Sequence, residues 1–151
     1  PSHTDSFPIS DPVIHDAAPR EYWNGLYGMT KSNMTEVVTF GRSWAFAAEM
    51  SIGGKGLMSR GYDRSQRCYQ LEYNGTGPGK ADITLLGSKD SPIFNPAIYI
   101  KNWNSNSAKV LVDGKETTNS RVGFNTKLEG KDLVVFVFAY EESPVRITIL
   151  P

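Results

Sequence analysis

The sequence predicts an all-β protein: a jelly-roll-like antiparallel β-sandwich in one domain, preceded by an extended N-terminal arm. Three observations predict it. Short runs of alternating apolar and polar residues recur at close spacing, separated by Gly, Asn, Ser and Asp. No segment shows a convincing amphipathic helical period. One run, "LVVFVFAY" at 133–140, is apolar on both faces, as a central strand must be.

In chain order, residues 1–20 hold four of the nine prolines and both histidines, His3 and His15, and read as an arm or linker. Residues 21–151 read as the sandwich domain. Strands are expected over Glu36–Phe40 and Trp44–Met50, the second with Trp44, Phe46, Ala48 and Met50 on one face. "GGKG" at 53–56 is a turn without the strand–loop–helix setting of a phosphate loop. Tyr69–Tyr73 alternates, with Tyr69, Leu71 and Tyr73 on one side, and "NGTGPGK" after it is a loop. Further strands are expected at Ala81–Leu86, Pro96–Trp103 and Lys109–Val112, the last ending in Asp113-Gly114, a pair suited to a type I′ hairpin. Val145–Leu150 closes the domain with Val145, Ile147 and Ile149 inward.

Charge narrows the function. Lys plus Arg equals Asp plus Glu, at 16 each, so nothing pulls the whole chain toward nucleic acid or acidic membrane. No apolar run approaches the ~20 residues of a membrane span. Cys68 is the only cysteine, so no disulfide closes within the chain, and its strand-like setting suits a small buried hydrophobe. A Ser–His–Asp or Cys–His site and a Cys/His zinc site lack a histidine near the core. The carboxylates Asp63, Glu72, Asp82, Glu116 and Glu129 are scattered and suit solvated turns and strand faces. No cofactor is required; an oxygen-ligand structural calcium in loops with Asp11, Asp16, Asp63 or Asp90 is open.

Two residue groups do carry chemistry. On the strand "YIKNW", alternation sends Ile98 and Ile100 to the core and Tyr99, Lys101 and Trp103 to the opposite face, with Asn102 at the strand end. An aromatic–basic–aromatic row of this kind suits a sugar: rings pack on its C–H faces, amides and cations bond its hydroxyls, and acidic substituents gain charge-assisted bonds. The stretch "SRGYDRSQRCY" concentrates Arg60, Tyr62, Arg64 and Arg67 around one acidic residue. Trp23, beside Tyr22 and Tyr27, is a third aromatic candidate. Each group has a plainer role available: Tyr99 and Trp103 as core, the arginines as surface ion pairs, the N-terminal aromatics as staples for the arm.

The segments "MTEVVTFGRSWAFAAEM", "SRGYDRSQRCYQLE", "SPIFNPAIYIKNW", "VLVDGK" and "RVGFNTKLEGKDLVVFVF" resemble the β-sandwich region at the C-terminal end of bacterial polysaccharide-degrading proteins. The similarity spans roughly residues 35–150. It implies a secreted, extracellular, non-catalytic carbohydrate-binding module beside a catalytic domain of the same polypeptide. Two alternatives stand next to this: a structural sandwich supporting that neighbour, and a small polysaccharide lyase using Tyr and Arg. "YIKNW" is similar to the Tyr-Phe-Lys strand of jelly-roll alginate lyases, but their Gln-x-His strand is absent here.

Overall fold

Alternation at 81–86 and 145–150 puts every second apolar side chain on one side of an extended strand, and the two strands pair through those residues. Ile83 faces Ile147, and Leu85 faces Val145. The computed structural model describes residues 34–127 and 130–151. The expectations for residues 1–33, including the arm and Trp23, lie outside the described residues.

Two five-stranded sheets carry the fold. The first runs β1 (Glu49–Gly53), β4 (Ala81–Leu86), β12 (Val145–Leu150), β7 (Lys109–Val112), β8 (Lys115–Glu116). The second runs β2 (Leu57–Asp63), β3 (Cys68–Tyr73), β6 (Ala97–Lys101), β10 (Gly130–Val137), β9 (Ser120–Lys127). A short pair, β5 (Ile93–Phe94) with β11 (Tyr140–Glu141), lies apart from both. All pairings are antiparallel except β3 with β6, which run parallel. The fold is an all-β sandwich whose first sheet is antiparallel, as expected, and whose second is mixed.

The inner faces meet in one core. Ile83, Leu85, Ile147 and Ile149 from the first sheet pack with Leu71, Ile98, Ile100, Leu133 and Val135 from the second. Strand β10 is buried on both faces: Leu133 and Val135 point to that core, while Val134 and Phe136 join Cys68, Ala97 and Tyr99 in a second cluster on the sheet's other side. The expected hairpin is present. Asp113 (φ 49°) and Gly114 (φ 86°) both take the left-handed conformation that a type I′ turn requires.

The strands expected at 36–40 and 44–50 are not formed. Residues Met34–Ala45 form helix α1, and β1 starts only at Glu49. Phe40, Ser43 and Trp44 fall at helical i, i+3, i+4 spacing, and Phe40 and Ser43 are buried. The β-branched residues and Trp favour a strand locally; packing decides otherwise. Phe40 meets Phe94 edge-on at 5.6 Å, and the Arg67 guanidinium lies 4.1 Å from the Phe40 ring and 5.3 Å from the Trp44 ring. The helix thus closes one end of the sandwich, against the β2–β3 turn and β5.

Candidate functional site

The row Tyr99–Lys101–Trp103 does not exist as a surface. Alternation holds only while the chain stays extended, and β6 ends at Lys101. Asn102 (φ 61°) and Asn104 (φ 64°) are left-handed, a conformation Asn tolerates better than most residues. The break turns Trp103 to the inner face, where it is 0% exposed and packs in the main core with Tyr73. Its indole N–H donates to the Ser107 carbonyl at 3.0 Å, and its backbone N–H to the Lys131 carbonyl at 2.8 Å. Gly79 is packed so closely on the Trp103 ring that a Cβ there would sit 2.5 Å from Cε3.

Tyr99 does point to the other face, but at 7% exposure it belongs to the second apolar cluster, and its hydroxyl donates to Asp132. Asp132, itself 2% exposed, also accepts the Asn102 backbone N–H at 3.1 Å and so anchors the turn. Asn102 is half-buried in that turn; of the expected group, Lys101 alone is exposed. These residues build the fold.

The arginine stretch behaves differently. Arg60, Tyr62 and Arg64 come together along an open depression of about 910 Å³ at the edge of β2, within the size range of ligand sites. Gln70 and Glu49 line it too, and so does Phe46 at 62% exposure, just past the end of α1. Phe46, Glu49 and Gln70 were not singled out from the sequence. A helical reading of 34–45 would have exposed the signal, because it leaves Phe46 off the face shared by Phe40 and Trp44.

Each arginine is held in a different way. Arg60 pairs with Glu72 at 2.5 Å, and this bond holds the Glu72 carboxyl below the usual carboxylate range. Arg64 donates to the Ala45 carbonyl at the end of α1 (2.9 Å), while the Trp44 indole N–H donates back to the Arg64 carbonyl (2.9 Å). The helix end and the β2–β3 turn therefore hold one another, and the bond occupies one of the carbonyls a helix end leaves unsatisfied. Asp63 stiffens the same turn: its Oδ1 accepts from the Ser65 N–H, the Ser65 hydroxyl and the Gln66 N–H.

Arg67 is a fixture of the turn and not a wall of the depression. It is buried, left-handed (φ 56°) and stacked on two rings of α1. Burial lowers its pKa to about 9, so the charge that the rings attract persists at neutral pH.

Tyr62 meets Tyr69 edge-on at 4.8 Å, and the Tyr69 hydroxyl donates to the Ala48 carbonyl at 2.7 Å. Burial, then the neighbouring Tyr69, pushes the Tyr62 phenol up, opposite to what a tyrosine base in a lyase needs. Burial, then Asp63, pushes the Cys68 thiol up to about 12. Among the described residues no group of three His, Cys, Asp or Glu side chains could hold a metal ion. No helix there is long and apolar enough to cross a membrane.

The depression brings together an apolar face at Phe46, an amide at Gln70, guanidiniums at Arg60 and Arg64, and a carboxylate at Glu49. The class the fold defines is the all-β sandwich. Comparison of the chain with protein-family models, with curated proteins and with solved structures finds no match.

Proposed function

We propose that this domain is a non-catalytic carbohydrate-binding module whose site is the Phe46–Arg64 depression. The supporting observation is a strongly exposed Phe ring beside two anchored guanidiniums in an open, ligand-sized hollow. The ring stacks on the C–H face of a sugar. Gln70, Glu49 and the arginines bond its hydroxyls, and a carboxylate or sulfate on the polymer meets Arg60 or Arg64. Glu49 and Asp63 beside the arginines suit a ligand with widely spaced acidic groups better than nucleic acid, which carries a charge at every phosphate. On the resemblance of its strands to polysaccharide-degrading proteins, the module acts outside the cell beside a catalytic domain of its own polypeptide.

Native affinity gels containing alginate, ulvan, carrageenan, fucoidan or agar test this reading. At least one acidic polymer should retard the domain, and Arg60→Ala with Arg64→Ala should restore its mobility. Incubation should release no new reducing ends and no unsaturated products. Equal mobility in all gels, or turnover of any polymer, contradicts the proposal.

A further inference from the structure

The 910 Å³ depression does not stand alone. Phe46 and Ser91 also line a second hollow, of about 310 Å³, whose other walls are Arg42 and Asp90. On another side, Ala47, Glu49 and Tyr62 are shared with a third, of about 320 Å³, that runs between β1 and β2 past Met50 and Ser59. Three open hollows thus adjoin through shared walls, with the larger one in the middle.

Phe46, an exposed ring, and Ser91 are the walls that the first two share. The backbone explains its position: the Phe46 N–H donates to the Arg42 carbonyl at 2.8 Å, completing the last turn of α1, and the chain then leaves the helix toward β1. The ring is left exposed, with Arg64 among the walls of the middle hollow and Arg42 among those of the outer one. Each side also carries a carboxylate, Glu49 or Asp90.

We infer that the ligand is engaged within a chain and not at its end, lying across Phe46 with sugar units in the hollows on both sides. A site for a terminal sugar needs a wall that stops the chain. Here the wall shared by two adjoining hollows carries an exposed ring, a surface on which a sugar unit stacks while its neighbours continue to either side. The Arg42/Asp90 hollow repeats the chemistry of the middle one, as successive units of a polymer require. This inference rests on the carbohydrate-binding reading and adds to it the length and direction of what is bound.

Calorimetric titration of the whole domain tests it, with alginate and carrageenan disaccharides, tetrasaccharides and hexasaccharides as probes and the parent polymers alongside. Affinity should rise at least about tenfold from disaccharide to hexasaccharide, or about 1.4 kcal/mol. Arg42→Ala should pull the hexasaccharide affinity down toward that of the disaccharide. Ser91→Phe, which obstructs the passage between the two hollows, should have the same effect should Arg42→Ala disturb the helix. Binding that is independent of length, or a loss in Arg42→Ala that is equal for all lengths, overturns the inference while leaving the carbohydrate reading in place. Failure of these oligosaccharides and of all five polymers of the gel screen to bind overturns the two together; retention by ulvan, fucoidan or agar alone moves the same length series to oligosaccharides of that polymer, where binding independent of length overturns the inference.

Discussion

Two regions of this domain hold aromatic and basic residues close together, and they present them in opposite ways. At the end of β6, Tyr99 and Trp103 are buried, hydrogen-bonded and committed to the fold. At the end of α1, Phe46 is exposed, and Arg60 and Arg64 stand along an open hollow. The difference is one of backbone. A left-handed Asn102 turns an apparent surface tryptophan inward, and a helix ending at Ala45 in place of a strand leaves Phe46 exposed. Side-chain type alone does not tell a buried row from an exposed one; the local path of the chain does.

Substitutions can break or sharpen that contrast. The largest effect is expected at Trp103→Ala, which removes the largest fully buried side chain of the described residues and should cost about 3–5 kcal/mol in urea unfolding. A loss below ~1 kcal/mol would mean that the core closes over the gap, and would weaken the assignment of Trp103 as structural. Arg67→Ala removes the cation stacked on Phe40 and Trp44 and should cost about 2 kcal/mol. Because that stack holds α1 to the turn carrying Arg64, the same variant should lose polysaccharide retention and part of the helical circular-dichroism signal. Asn102→Ala places a residue with a Cβ, and without the amide, at φ 61° and should cost about 1 kcal/mol, whereas Asn102→Gly should cost less or nothing. An equal cost for both would show that the Asn102 side chain, and not its backbone, matters. The smallest effect is at Cys68. With its thiol buried and pushed up to about 12, almost no thiolate forms at pH 8, so a disulfide reagent should react only on unfolding. Rapid labelling of the native protein would contradict the second apolar cluster.

Much of the sandwich was legible where alternation is clean. Ala81–Leu86, Lys109–Val112 and Val145–Leu150 form with the expected bounds, and Tyr69, Leu71 and Tyr73 share one side as expected, which is the core side. The strands β2 and β9 were hidden because "LMSRGYD" and "SRVGFNTK" lie at sheet edges, carry Gly and polar residues, and bury little. Helix α1 was misread because Val37, Val38 and the Thr and Trp residues around them favour strands, while the contacts that select the helix come from Arg67 and Phe94, far along the chain. The candidate site was half legible. The arginine stretch announced itself by local charge density, but its companions Phe46 and Glu49 reach it only through the fold. The Asn residues at 102 and 104 were the one local warning that the strand's alternation stops before Trp103.

The central claim is that recognition lies at the helix end and not on β6, and Phe46→Ala tests it most directly. Calorimetric titration with the best-retained polymer and a thermal melt should be run on the same preparation. Binding should fall to the detection limit while the melting temperature stays within about a degree of the parent, since an exposed ring contributes little to stability. Undiminished binding would contradict it, and so would a melting temperature that collapses as expected for Trp103→Ala, because Phe46 would then belong to the core.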